Sequence, residues 1–251
     1  MENNLCLDKY ISIRYISKGR FGTVYEVYNK ELQIHTALKM EIESDNISDQ
    51  SLHNEVKNFK ILSKYQVSNI PTYYDSGICQ NGEMYIELEL FDGDLKTFIE
   101  NNVITKYELY DILFELLYTL YEFRVIGFEH RDVKTNNVVY KINNNTRNYI
   151  LNDTNVVINS IIHPIIIDFN HSGLTANRHK TLFRMTNINY VTKDLQKLVH
   201  TMKKLIKITE NLSTQEVKNI TLFVNNLIKI DDATSTFIYK MLLKLYEDFL
   251  H

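Results

Sequence analysis

Along the first ninety residues, apolar and polar positions alternate with the period of two expected of half-buried strands. Tyr10 to Ser17, Thr23 to Tyr28 and Ile34 to Glu41 carry β-branched and aromatic residues at short spacing, separated by glycine and polar turns. The period then lengthens. Between Gln50 and Lys64, the residues Leu52, Val56, Phe59, Ile61 and Leu62 fall at roughly helical spacing, and Pro71 breaks the pattern. Thr72 to Ile78 and Glu83 to Leu90 read as a strand pair around Asn81-Gly82, residues suited to a tight hairpin turn. From about Asp94 the character becomes helical. Thr105 to Val125 is apolar nearly all round, through Leu109, Ile112, Leu113, Leu116, Leu117 and Leu120, as a buried helix should be. The change near Phe91-Asp92-Gly93 separates a β-rich lobe, about 1–91, from a compact and mainly α-helical one, about 92–251. The pattern predicts an α+β fold.

Composition narrows the class. A chain of 251 residues can bury a sizeable core, and 44% apolar with 24% charged residues is ordinary for a globular protein. A net charge of −3 supplies no global basic field, so nucleic-acid binding through overall charge is disfavoured. The N-terminus has neither a basic region nor a long apolar run, and no stretch reaches the roughly 18 apolar residues of a membrane helix. Cys6 and Cys79 form no metal-binding cluster, and the expectation is buried or free thiols in a reducing compartment. Triplets such as Asn152-Asp153-Thr154 are attributed to the abundance of asparagine, and Asn143-Asn144-Asn145 to a loop tip.

Candidate chemistry appears in order along this scaffold. Ser17-Lys18-Gly19-Arg20-Phe21-Gly22-Thr23-Val24 lies between two expected strands, where glycine lets backbone N–H groups approach phosphate oxygens. Alone it is equally a hairpin turn. Ala37-Leu38-Lys39 follows on the third strand, and Glu55 on the next helix. Each is ordinarily a solvated charge, but together they can form an ion pair. After the buried helix comes His130-Arg131-Asp132-Val133-Lys134-Thr135-Asn136-Asn137, which sets a carboxylate, a lysine and an amide at spacings of two and three residues. Phosphoryl transfer requires groups of these three kinds. Pro164 to Asn170 reads as a short buried strand reaching Asp168, which is either a turn-forming aspartate or a magnesium ligand.

Taken jointly, Lys39, Glu55, His130-Arg131-Asp132-Val133-Lys134 and Asp168-Phe169 resemble the eukaryotic-type serine/threonine protein kinases, over about Tyr10 to His200. The resemblance implies a single bilobal protein kinase domain that uses ATP with Mg²⁺, or Mn²⁺, and a protein substrate, without nucleic-acid or membrane partners. It implies an intracellular setting, cytoplasmic or nuclear. By similarity, Asp132 would orient the acceptor hydroxyl and Lys134 would touch the γ-phosphate. Asn137 and Asp168 would hold the metal, and Lys39 with Glu55 would anchor the α- and β-phosphates. Ile16, Val24, Ala37 and Val139 would enclose adenine, with Leu88 as gatekeeper and backbone groups of Glu89 and Leu90 as its hinge contacts. Asp94 would reach the ribose or a basic substrate residue, or cap a helix.

The chain also departs from the family pattern. Ser17 replaces the first loop glycine. Asn170 stands where the family has glycine, and asparagine tolerates positive φ. An extra hairpin is expected at 149–158, and no Ala-Pro-Glu triplet follows Asp168. Only 26 positions separate Asp168 from Asp194, where the next helix is expected to begin. The hairpin and the missing triplet are similar to haspin-like kinases, and the reduced size is similar to kinases of large DNA viruses. Lys134 favours serine/threonine transfer and argues against small-molecule phosphotransferases. Ser17 and Asn170 keep open a pseudokinase that retains the fold for binding alone. Thr175, Thr181 and Thr186 lie in a segment whose shortness predicts constitutive competence rather than phospho-switching. Arg178, His179, Lys180 and Arg184 could meet an acidic substrate or an interdomain partner, and read first as a solvated basic loop.

Overall fold

The computed structural model describes residues 6, 8–19, 22–41, 51–151, 153–174, 187–228 and 235–250. Two compact units are found. One comprises Met1–Gln66, Pro71–Phe91 and Phe169–His171, the other Val67–Ile70, Asp92–Asp168 and Ser172–His251. Arg20, Phe21, Asn152, Thr175, Arg178, His179, Lys180, Thr181, Arg184 and Thr186 lie outside the described residues.

The first unit is built on a five-stranded antiparallel sheet. Its strands are β1 (Tyr10–Lys18), β2 (Gly22–Asn29), β3 (Ile34–Glu41), β4 (Tyr73–Ile78) and β5 (Met84–Glu89), in the order β1-β2-β3-β5-β4. The alternation seen in the sequence is realised in β3, where Thr36, Leu38 and Met40 are buried and the residues between them are less so. Leu38 and Met40 join Val27, Tyr10 and Tyr85 in a small core. Beside it, the fully buried Glu87 accepts hydrogen bonds from Tyr10 Oη (2.9 Å), Asn29 Nδ2 (2.8 Å) and Thr36 Oγ1 (2.7 Å). Three donors offset the desolvation of one carboxylate. The β4–β5 turn closes at Gly82, whose φ of 88° suits glycine, as Asn81-Gly82 predicts.

The cysteines differ from expectation. Cys6 and Cys79 are both buried in this core and are joined by a disulfide across 73 positions of sequence. Two cysteines so far apart meet only after the sheet has formed, so their spacing could not reveal the bond. Helix α1 (Ser51–Lys64) completes the unit, burying Leu52, Val56, Phe59 and Leu62 at helical spacing.

The second unit is mainly helical: α2 (Leu95–Asn101), α3 (Lys106–Val125), α4 (Asn187–Lys207), α5 (Thr214–Asn226) and α6 (Ser235–Leu245). Helix α3 starts with a capping box between Thr105 and Glu108 and is buried at every position from Leu109 to Leu120. It packs against α4, α6 and a short strand, β11 (Ile162–Ile166). β11 pairs with β8 (Val138–Ile142), which in turn pairs with β6 (Gly93–Asp94). Between β8 and β11 lies the expected extra hairpin, β9 (Arg147–Leu151) and β10 (Thr154–Ile158). It explains a carboxylate buried in an apolar helix. Glu115 of α3 is fully buried and receives the Arg147 guanidinium through Nε and Nη2, together with Tyr149 Oη. Two-residue strands β7 (Phe128–Glu129) and β12 (Gly173–Leu174) pair antiparallel. Among the described residues, no helix is long and apolar enough to cross a membrane.

Candidate active site

In the first unit, Lys39 projects from the middle of β3, opposite Val24 on β2 and Ile86 on β5. Its Nζ lies 2.6 Å from Glu55 Oε2 on α1, and the glutamate side chain is only 2% exposed. Two charges 16 positions apart are thereby fixed on each other, as the sequence predicted. Phe169 is also in this unit, fully buried. Its ring meets Phe59 edge-on at 5.1 Å, and its carbonyl accepts from Asn58 Nδ2 at 2.7 Å. The triplet's aromatic residue is thus an anchor on α1.

The glycine-rich turn has a structural reason as well. A Cβ on Gly22 would lie 2.6 Å from the Met40 carbonyl, so glycine is required there for β2 to approach β3. Gly19 N–H donates to Gly22 O at 2.9 Å, so one of the expected phosphate donors is used within the turn. Ser17 pairs with Val24 and Lys18 with Thr23 across β1 and β2. Of the adenine-enclosing candidates, Ala37 pairs with Leu88 across β3 and β5, while Ile16 is exposed on β1. Leu90 follows β5 and is partly buried. Glu89 N–H donates to Thr72 O (2.9 Å) and its carboxylate accepts from Thr72 Oγ1 (3.0 Å). Its backbone donor is therefore committed to the unit itself.

In the second unit, the octapeptide runs between β7 and β8 and ends in a 3-10 turn over Thr135–Asn137. His130 is wholly buried, and burial lowers its pKa to about 4. The neutral ring is consistent with both its hydrogen bonds. Nε2–H donates to Ile167 O (2.9 Å) while Nδ1 accepts from Asp132 N (3.2 Å). Asp194, inside α4, accepts Arg131 N (2.8 Å) and Val133 N (3.3 Å), bracketing the loop backbone. Burial raises its pKa to about 6 despite those donors. α4 begins at Asn187, seven residues before Asp194, so Asp194 is an internal residue rather than the helix start.

The Asp132 carboxylate collects three donors. Lys134 Nζ lies 2.5 Å from Oδ2, Lys197 Nζ 2.6 Å from Oδ1, and Asn137 Nδ2 3.0 Å from Oδ2. Partial burial raises its pKa, but the two lysines outweigh that and hold it below the usual carboxylate range. With its nitrogen engaged, Asn137 has its amide oxygen left to accept or ligate. Ile167 N donates to Asn137 O (2.9 Å), which brings Asp168 beside it at the same end of the β8–β11 pair. An amide oxygen and a carboxylate are the hard donors that suit Mg²⁺. Asp168 adopts φ 72°, whereas Asn170 lies in a 3-10 turn outside the positive-φ residues. The strained position is therefore the aspartate, two residues earlier than expected. Val139 lies on β8 opposite Ile165 and Asp94. Asp94 caps α2, accepting from Thr97 N and Oγ1 at 2.8 Å each, so its side chain serves the helix.

Two residues were missed by sequence reasoning. Lys197 stands one helical turn after Asp194, and that i, i+3 spacing was the available signal. Glu129 directly precedes His130 and lies 3.2 Å from Arg131 Nε with its side chain 1% exposed. Nothing in its position marked it.

The protein kinase domain model matches residues 10–193. A "Probable serine/threonine-protein kinase" of Dictyostelium discoideum is 30% identical over 126 residues, covering 49% of this chain and 17% of the relative. A "Probable casein kinase I homolog" of Encephalitozoon cuniculi is 32% identical over 137 residues, covering 54% and 42%. The "Cyclin-dependent kinase 2" of Caenorhabditis elegans is 26% identical over 136 residues, covering 52% and 36%. The chain thus spans less than half the length of each of these relatives. A crystal structure of a kinase domain superimposes with a TM-score of 0.61 at 16% identity, covering all of this chain and 89% of the other.

Proposed function

The chain belongs to the protein kinase domain family, and from that premise we propose that it transfers the γ-phosphate of ATP to serine and threonine hydroxyls of protein substrates. The observation that carries this reading is the convergence of Lys134, Lys197 and Asn137 on one carboxylate. Three donors keep Asp132 ionised and aimed, as an acceptor of the substrate hydroxyl proton must be. Lys134 also serves the phosphate, because its ammonium moves from Asp132 to the γ-phosphate as negative charge develops there. Lys39, steadied by Glu55, holds the α- and β-phosphates. Asn137 and Asp168 fit the oxygen-donor requirement of Mg²⁺, and would hold it. When bound, that ion neutralises charge on the β- and γ-phosphates.

The test is a radiolabel assay with Mg-ATP and histone or casein, with Asp132→Asn run alongside. The native protein should label its acceptor, and the variant should lose about 10²–10⁴-fold in rate. Equal labelling by both would sink the role of Asp132. A second reading, nucleotide binding without transfer, is motivated by Ser17 and Asn170. A thermal shift with Mg-ATP in the absence of labelling would establish it instead.

A further inference from the structure

Beside Asp132, the second unit carries an open groove of about 410 Å³. Its lining includes Lys134 and Asn136 from the loop and Lys197, His200 and Lys204 from α4, and among the described residues no Asp or Glu lines it. The three α4 residues stand at i, i+3 and i+7, so they form one stripe along the helix. The floor is fixed by a buried hydrogen bond between Thr135 Oγ1 and Thr201 Oγ1 at 3.0 Å. Two lysines share the single Asp132 carboxylate, which leaves one positive charge over. Lys204 adds another. This local excess occurs in a chain whose net charge is −3, so it is not a reflection of general basicity.

We propose that this groove binds an anionic side chain of the acceptor peptide, a carboxylate or a phosphorylated residue, and so sets substrate preference. The inference rests on the protein kinase reading and goes beyond it by naming the substrate class. Geometry sets where the anion lies. Lys197 touches Asp132, and Lys204 is seven residues further along α4, about 10 Å at 1.5 Å per residue. An extended peptide covers that span in roughly three residues. The anion therefore belongs two or three positions from the acceptor hydroxyl. His200 contributes a ring N–H donor to the same stripe.

The experiment uses the full chain, Mg-ATP and peptides with one threonine acceptor in an alanine background. Glutamate, phosphoserine or lysine is placed at each of the three positions on either side. Glutamate or phosphoserine two or three positions away, on one side, should raise kcat/KM about five- to tenfold over alanine, and lysine should lower it. Lys204→Glu should invert that order and Lys204→Gln should flatten it, with melting curves confirming that both variants fold. A phosphoserine advantage over glutamate identifies a phosphoryl pocket, and parity a carboxylate pocket. Equal rates on all peptides would overturn the groove assignment and leave the kinase reading intact. If no peptide is phosphorylated, the kinase reading fails, and fluorescence anisotropy of the same peptides tests the groove by itself. Tighter binding of the acidic peptides, reversed in Lys204→Glu, supports it. Equal binding, or binding of heparin without discrimination among peptides, overturns it.

Discussion

Arg131 lies 3.2 Å from Glu129, and the glutamate is almost entirely out of solvent. A carboxylate supplied by the chain itself is thus paired with Nε of the guanidinium that family members often present to an added phosphate. Constitutive competence, expected from the short segment after Asp168, makes a direct prediction. Phosphatase treatment should leave activity unchanged, whereas Glu129→Gln should lower both activity and stability, by roughly 3 kcal/mol for a buried pair broken on one side. Steady-state rates and chemical denaturation would check both, and activity lost to phosphatase would contradict the first. The same scale shows what sequence can carry. Asp132, Lys134 and Asn137 were legible because one short loop holds them, so spacing along the chain is spacing in space. Lys197 acts on the same carboxylate from 65 positions away, and that contact exists only after α4 has docked. The contact of Glu89 was hidden for a similar reason. Its partner, Thr72, is set by strand pairing rather than by neighbours.

At the level of elements, α3 and the β9–β10 hairpin depend on each other through Glu115 and Arg147. Burial raises the Glu115 pKa to about 7 against the opposing effect of Arg147 and Tyr149. Arg147→Met removes the opposing charge and should cost roughly 3–4 kcal/mol at neutral pH. The loss should also depend on pH. A carboxyl whose folded pKa is raised holds a proton in the fold that it would lose when unfolded. Its contribution is fully present below the unfolded value near 4.5 and is lost as pH rises through the folded one. Urea denaturation should therefore find the variant closest to native at pH 5 and furthest from it at pH 8. Adding Glu115→Gln should flatten that dependence; a pH-independent deficit would refute the account. The strands, α3 and the hairpin were readable because each carries its own periodicity and turn residues. The start of α4 was not. Asp194 has the look of a helix cap, and the loop N–H groups it serves instead lie some sixty positions earlier.

For the whole molecule, the change of pattern near Phe91-Asp92-Gly93 announced an α+β chain, because periods of two and 3.6 are set locally. The disulfide was beyond reach of that argument. It constrains 73 positions of sequence, and loop-closure entropy puts its contribution at up to about 4 kcal/mol. Reduction, or Cys79→Ser, should lower Tm on the order of 10 °C. A melting curve unchanged by thiol reagents would show the bond to be dispensable. Its covalent consequence is separate from its energy. Residues 6 to 79 form a closed ring, and Gly19, Gly22, Lys39 and Glu55 all lie on it. A protease that cuts once inside that ring linearises it without liberating a fragment. Such a nicked molecule would keep the molecular mass of the intact chain, plus one water, and would separate into two bands only when thiol is added to the gel.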